Sequence, residues 1–316
     1  MKTLLPWTSI LVWPLMLTLP LLMTSSYSPI SYAKVFPKTW YEYEYDENGV
    51  NKPKPLGLIL GLLAVAVGQV FVWLIFYIYK FGHILPNHDN EDDGQSDNRK
   101  RREPNSIQVK GARKYDFMEG LITHISQPEG FILLGSYLAG TWMYNLMPIS
   151  YYNFEGTIQY DKVILCLFIQ DILQYISHRL EHDLSPTIYK MCHKSHHKFI
   201  NPRLFDAFNG STTDTIVMIL IPLYITANIV HDCNVWTYMA FGSTYANWLT
   251  LIHSEYYFPW DNTLFYYLGF GTPADHHVHH AFFKYNFGHL FMYMDMLFGT
   301  YKNPNEFIPK QFNSNK

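Results

Sequence analysis

The chain of 316 residues is short of charge and of cysteine, and both shortages exclude classes of protein. Charged residues make up 16% of the chain, below the roughly 25% of soluble domains. The formal net charge of −3 offers no basic surplus, so nothing in the composition points to nucleic-acid binding. The three cysteines, Cys166, Cys192 and Cys233, are odd in number and match no metal-binding spacing, so nothing suggests a disulfide framework.

The sequence also lacks the GxSxG and HExxH motifs, so the common membrane hydrolase mechanisms have no support. What it has instead is 48% hydrophobic residues, gathered into long uncharged runs. Residues 56–79 carry no charge, and this run exceeds the about 20 residues that cross a bilayer. Five further apolar stretches lie at 4–23, 131–148, 158–177, 215–230 and 235–252. Together these runs predict an all-α integral membrane helical bundle.

A polar linker at 86–114 divides the chain, and its basic run RKRREP places it in the cytoplasm by the positive-inside rule. Two helical hairpins, 131–177 and 215–252, then return the chain to the same side. The predicted segments are N-terminal membrane spans, the linker, a catalytic domain and a tail, over 1–85, 86–114, 115–305 and 306–316. Residues 1–26 fit either a retained span or a cleaved signal.

Eleven of the fifteen histidines lie between His178 and His280, and all of them except His231 belong to short motifs at the predicted helix ends. In His178-Arg-Leu-Glu-His182 the two imidazoles stand at i and i+4, which places them on one helix face about 5–6 Å apart. Asp171 and Gln174 continue this stripe, and a carboxylate below a ligand histidine commonly fixes the imidazole tautomer.

Two further clusters share the spacing HxxHH, which would place three rings on one helix face: His193-Lys-Ser-His196-His197 and His276-His277-Val-His279-His280. His253 follows the last apolar run and can add a ligand from another helix. So many histidines on one side suit two metal ions, which predicts a cytoplasmic histidine-rich di-metal cap. Imidazole binds Zn, Cu, Fe and Ni, so residue type alone does not choose the metal.

Together these motifs resemble the sterol desaturase/fatty-acid hydroxylase superfamily over roughly residues 115–305. HKSHHKFINP and the block ADHHVHHAFFKYNFGHLFMYMDMLFGTYKNPNEF look like Δ7-sterol C5-desaturases (lathosterol oxidases). LIHSEYYFPW is closer to C4-methylsterol oxidases and cholesterol 25-hydroxylases.

The resemblance implies two iron ions, O2 as oxidant, and electrons from NAD(P)H through cytochrome b5 or a similar carrier, in a multi-pass protein of the endoplasmic reticulum membrane. The ligands that it implies are His178, His182, His193, His196, His197, His253, His276, His279 and His280. His277 stands at a variable family position and is left out. His289 and Asp295 match positions near the third motif, where a role beside the ligands and a role in helix packing are both open.

Three functions therefore compete. The expected one is O2-dependent desaturation of a sterol, as in C5-desaturases. The second keeps the centre but hydroxylates a sterol, fatty acid or sphingolipid. The third is a membrane metal-binding or transport protein without oxygenase activity, whose histidines would be expected along a polar path through the spans instead of at one end.

Overall fold

The computed structural model describes residues 32–81, 107, 116–258, 261 and 265–307. The predicted span at 4–23, nearly all of the linker 86–114 and most of the tail 306–316 lie outside these residues. The last two residues of LIHSEYYFPW also lie outside them.

The described part of the chain is helical, which confirms the predicted class, and its strand pairing is confined to the short antiparallel hairpin of β1 (Glu44–Tyr45) with β2 (Asn51–Lys52) and an isolated bridge. The long helices are α1 (Pro55–Phe81), α4 (Tyr160–Asp183), α6 (Thr212–Ile229) and α7 (Val235–Ile252). The shorter ones are α2 (Phe117–Ser126), α3 (Leu133–Met143), α5 (Pro186–Met191), α8 (Tyr266–Leu268), α9 (Pro273–Phe282), α10 (Tyr293–Leu297) and α11 (Pro304–Phe307).

Three described helices are long and apolar enough to cross a membrane: residues Pro55–Leu74 of α1, α4 and α6. Residues 131–148 are not among the candidate spans, because the helix runs from a π turn at Pro128–Ile132 into α3 and ends at Met143, before the apolar run does. The apolar run continues past the end of α3 into a loop, where Asn145 adopts a left-handed backbone with φ 56°. Sequence apolarity therefore overstated the length of this helix.

Helix α7 is the centre of the bundle, since 17 of its 18 residues are buried. Helix α1 packs along it and approaches closely at two glycines. A Cβ atom at Gly61 would lie 2.6 Å from Cε of Met239, and one at Gly68 would lie 2.7 Å from Nδ2 of Asn247. A larger residue at either glycine would force the facing side chain of α7 to move, so the two glycines allow this close packing.

The C-terminal ends of α4 and α7, the N-terminal end of α6 and the whole of α9 meet at one end of the bundle, where the histidine motifs gather. Helix α9 begins at a fixed position, because Thr272 caps its N-terminus, Pro273 occupies the first turn and Asp275 completes a capping box. The histidine motifs thus gather at one end of the bundle, as predicted.

Candidate metal centre

The nine predicted ligand histidines come together in two groups. Within each group the candidate ligand atoms lie within 4.8 Å of one another. The first group contains His178, His182, His193, His197 and His279, and the second contains His196, His253, His276 and His280. All are buried except His182, which is half-buried.

The two HxxHH motifs divide their histidines between the groups in opposite ways. His193 and His197 belong to the first group, whereas His196 between them belongs to the second. In the third motif His276 and His280 belong to the second group, and His279 belongs to the first. Each i, i+4 pair therefore serves one group and the i+3 ring serves the other, a division that the predicted shared face did not anticipate.

The second motif is also not an α-helix, contrary to the prediction. Helix α5 ends at Met191, and a turn leads into a 3-10 turn at His196–Lys198. The peptide N–H groups of His196 and His197 both donate to the carbonyl of His193, at 3.0 and 3.3 Å. This tight turn brings the rings of His193 and His197 close together, as an α-helix would.

Backbone carbonyls hold several of the imidazoles by Nδ1. His178 Nδ1 lies 2.8 Å from the Phe287 carbonyl oxygen, and His253 Nδ1 lies 2.6 Å from that of Leu249. His279 and His196 make the same kind of contact, with Tyr285 at 2.8 Å and Asn209 at 3.4 Å. A carbonyl can only accept, so Nδ1 carries the proton in these rings and Nε2 presents a lone pair.

These lone pairs face one another at short distances, which fits metal ligation. His178 Nε2 lies 3.0 Å from His193 Nε2, and His253 Nε2 lies 3.4 Å from His196 Nε2. With both Nδ1 atoms protonated, neither pair can form a hydrogen bond. Two nitrogens about 2.1 Å from one metal ion stand roughly 3.0–3.4 Å apart at bond angles of about 90–110°. A shared cation therefore accounts for the spacing.

The remaining contacts repeat this geometry. His197 Nε2 lies 3.1 Å from His182 Nε2 and 3.0 Å from His279 Nε2. In the second group His276 Nε2 lies 2.9 Å from His253 Nε2 and 3.0 Å from His280 Nε2. Burial lowers the pKa of His196 to about 4, with the nearby His193 adding to the effect, and lowers that of His276 well below the usual range. Neutral imidazole at pH 7 is the form that binds a metal.

His193 has carboxylate partners that sequence reasoning missed. Its Nδ1 lies 2.7 Å from Asp214 Oδ1 and 3.3 Å from Glu181 Oε2, and both acids are buried. A carboxylate at Nδ1 orients the ring and raises its basicity toward a metal. Glu181 stands inside the first motif and could have been singled out. Asp214 looks in sequence like the third residue of a helix capped by Ser211, which it also is.

Asp171 does not orient His178, contrary to the prediction, because the Phe287 carbonyl does so. Asp171 instead accepts a 2.8 Å hydrogen bond from the Leu290 N–H. Asp295 accepts from the N–H groups of Phe287 and Gly288, at 2.9 and 2.7 Å. The two carboxylates hold the loop that carries the Phe287 carbonyl.

The other predicted residues lie around the groups. The ring of His289 stands between them, with its centroid 5.0 Å from that of His178 and 5.1 Å from that of His276. Gln174 is buried, and its Oε1 has no hydrogen-bond partner. His277 joins neither group and places Nδ1 2.8 Å from the Pro273 carbonyl oxygen, in accord with its exclusion.

A cavity of about 30 Å³, the metal-side cavity, touches both groups; its polar lining includes His193, His196, His253, His289, Gln174 and Asp214. Phe208, Ile219 and Leu249 line it too and also line an inner apolar cavity of about 40 Å³. An outer apolar cavity of about 230 Å³ adjoins the inner one, with which it shares Val65 and Phe208. A hydrocarbon-lined space thus lies beside the histidines.

Comparison with known proteins agrees with this site. The family profile described as fatty acid hydroxylase matches residues 163–300. A protein of Phaeodactylum tricornutum named alternative squalene epoxidase is 61% identical over 309 residues, which cover 98% of this chain and 83% of that protein.

Two Δ7-sterol 5(6)-desaturases are more distant. That of Aspergillus fumigatus is 31% identical over 161 residues, which cover 45% of this chain and 48% of the desaturase. That of Saccharomyces cerevisiae is 29% identical over 174 residues, which cover 52% of this chain and 43% of the desaturase. These matches span less than half the length of each desaturase. No solved structure matches the chain.

Proposed function

The chain belongs to the fatty acid hydroxylase family of the sterol desaturase superfamily, and on this premise we propose that it is a membrane oxygenase that epoxidises squalene. The observation that carries the proposal is the 61% identity, along 98% of the chain, to the protein named alternative squalene epoxidase. The histidine motifs fall within the part that the family profile matches.

The apolar cavities support a hydrocarbon substrate. Squalene has no polar atom, whereas a sterol carries a hydroxyl that needs a hydrogen-bond partner when buried. Gln69 lines the outer cavity, but Asn247 and Thr250 already engage its amide, at 3.1 and 3.4 Å. The rest of the two cavities is lined almost entirely by apolar side chains, apart from the buried hydroxyls of Tyr238 and Tyr245 in the inner one.

Iron fits the two groups, because neutral imidazole is a good ligand for it and histidine pairs at i, i+4 grip one ion. The ligands in this proposal are the nine predicted histidines, five for one ion and four for the other. When bound, the two ions supply the redox chemistry that activates O2. The chain's own part is to fix each ring through Nδ1, to exclude water by burial and to hold the substrate beside the metal-side cavity.

The reaction balances with an external reductant. One oxygen atom adds across a terminal carbon–carbon double bond of squalene, and the other leaves as water with two electrons and two protons. The electrons come from NAD(P)H through a reductase and a carrier such as cytochrome b5. We place the protein in the endoplasmic reticulum membrane with the histidine end in the cytoplasm, where such carriers and reductants are found.

Desaturation of a Δ7-sterol at C5 is the second candidate, favoured by the two desaturases at about 30% identity and by the run from His276 to Phe307. Hydroxylation of a sterol, fatty acid or sphingolipid would use the same centre. A metal-binding protein without oxygenase activity is the weakest alternative, because the histidines gather at one end of the bundle.

The test is expression in cells that lack their own squalene epoxidase, followed by mass spectrometry of the lipids. We expect squalene epoxide, a gain of one oxygen atom, and restored sterol synthesis. His196→Ala is the inactive control. If the wild-type protein yields no epoxide but forms a Δ5-sterol, by loss of two hydrogens, in cells that lack C5-desaturase, the second candidate is correct and the first is wrong.

A further inference from the structure

The outer apolar cavity lies at mid-membrane depth. It is lined by Leu62, Val65, Ala66 and Gln69 of α1, which fall in the middle of the candidate span Pro55–Leu74. Across from them, Leu134 and Gly135 of the short helix α3 line the same cavity. The cavity is therefore bounded by a candidate membrane-crossing helix and by α3, which is not among the candidate spans.

The mouth of this cavity is made of small residues. Ala66 is exposed, and a Cβ atom built on Gly135 would meet no other atom within 4 Å. Open space therefore lies in front of Gly135, between α1 and α3. At this depth the surroundings are acyl chains, in which a hydrocarbon without a polar atom dissolves freely.

The side chain of Phe208 separates the apolar cavities from the metal-side cavity. It is one of three side chains that line both the inner apolar cavity and the metal-side cavity, and it also lines the outer one. Its ring packs on His124 and Phe131, with centroids 5.5 and 6.1 Å away. The next peptide carbonyl, that of Asn209, lies 3.4 Å from His196 Nδ1, so the barrier adjoins a candidate ligand.

We propose that the substrate enters sideways from the bilayer between α1 and α3, past Ala66 and Gly135, and reaches the metal-side cavity when the Phe208 side chain turns aside. The proposal rests on the proposed function for the identity of the hydrocarbon. The outer cavity of about 230 Å³ is smaller than the usual ligand pockets of about 300–1,000 Å³. A long chain therefore needs the additional space that rotation of Phe208 opens.

The route is tested first without any catalytic readout. Ala246 lines both apolar cavities, so Ala246→Cys in a Cys192→Ser background places a thiol inside; the other two cysteines, Cys166 and Cys233, are buried and line neither apolar cavity. The protein in lipid nanodiscs is treated with N-phenylmaleimide. We expect labelling that squalene slows, and that Gly135→Leu slows at least fivefold.

Gly140→Leu is the matched control. Gly140 lies on the same helix, also faces open space and lines none of the described cavities. Both substitutions favour a helix by about 1 kcal/mol, so neither should unfold α3. Equal labelling of the Gly135→Leu and Gly140→Leu proteins would overturn the entry route.

The barrier is tested by Phe208→Trp, which enlarges the ring. We expect Ala246→Cys labelling and iron content to stay within twofold of the parent, while kcat/KM for squalene falls at least tenfold. Unchanged turnover would overturn the role of Phe208. If squalene neither slows labelling of the thiol nor reacts, whereas a Δ7-sterol does both, the proposed substrate is wrong. The entry route is then tested by comparing the Gly135→Leu and Gly140→Leu proteins with that sterol.

Discussion

Asp214→Asn removes the negative charge that faces His193 and keeps the size of the side chain. The Asp214 Oδ1 atom lies 2.7 Å from His193 Nδ1, and the opposite nitrogen of that ring belongs to the first histidine group. Loss of such a carboxylate partner lowers metal affinity by about 10–100-fold, or roughly 1.4–2.8 kcal/mol. Glu181 Oε2 lies 3.3 Å from the same Nδ1 and partly substitutes, so we expect the single variant near tenfold and Asp214→Asn/Glu181→Gln near a hundredfold.

The assay is the rate and extent of iron loss to a chelator, followed by elemental analysis of the purified protein. Asp183→Asn is the control, because Asp183 ends the same helix as Glu181 but is exposed and pairs with Arg179. The backbone cap of α6 persists in the variant, since it uses the Asp214 N–H and the Ser211 hydroxyl. If Asp214→Asn and Asp183→Asn retain iron equally, the inferred role of the carboxylates is wrong.

Two further outcomes follow from the groups and from a buried histidine away from them. His280→Ala leaves three imidazoles in the second group, whereas His182→Ala leaves four in the first, so elemental analysis should find the larger iron loss in His280→Ala; the reverse order would contradict the partition. Burial lowers the pKa of His124 from 6.5 to about 4. As the pH falls below about 6.5, the histidine becomes protonated in the unfolded chain but stays neutral in the folded chain, so the folded state loses stability. His124→Phe should therefore remove about 1.4 kcal/mol of the stability lost between pH 7.5 and 5.5, measured as the free energy of unfolding in mixed micelles, and identical pH profiles would refute this account.

Much of the site could be predicted because helical spacing is visible in sequence. The i, i+4 histidines of the first motif fall in one group, as the 3.6-residue period requires, and the helix bounds of α7 match the apolar run at 235–252. The predicted gathering of the motifs at one end is also found, although residues 131–148, the first half of one hairpin on which that prediction rested, are not a candidate span. The nine histidines that the sequence singled out are therefore the same nine that the structure gathers into two groups, and their role as metal ligands stays a prediction.

The failures have a physical cause in contacts between distant segments. Asp214 lies 21 positions from His193, and no local pattern brings an α6 residue to a turn after α5. The role of Asp171 was predicted wrongly because its carboxylate accepts a hydrogen bond from the Leu290 N–H instead of contacting His178. Leu290 lies in a loop 119 positions further along the chain, so local spacing could not reveal this contact. Helix α3 was overestimated because the apolar run continues past Met143 into a loop, where Tyr144 and Leu146 are exposed.

The exchange of the i+3 histidine between the two groups explains why both HxxHH motifs carry adjacent histidines. His196 and His197 point to different groups, as do His279 and His280, so each motif contributes to both candidate ions. A metal ion in one group therefore fixes backbone that positions ligands of the other. Loading of the two sites should be cooperative, since the ordering of each turn is shared between them. An HxxxH motif such as His178 and His182 has no i+3 histidine and serves a single group, which leaves the turn at 193–197 and helix α9 as the elements that couple the two sites.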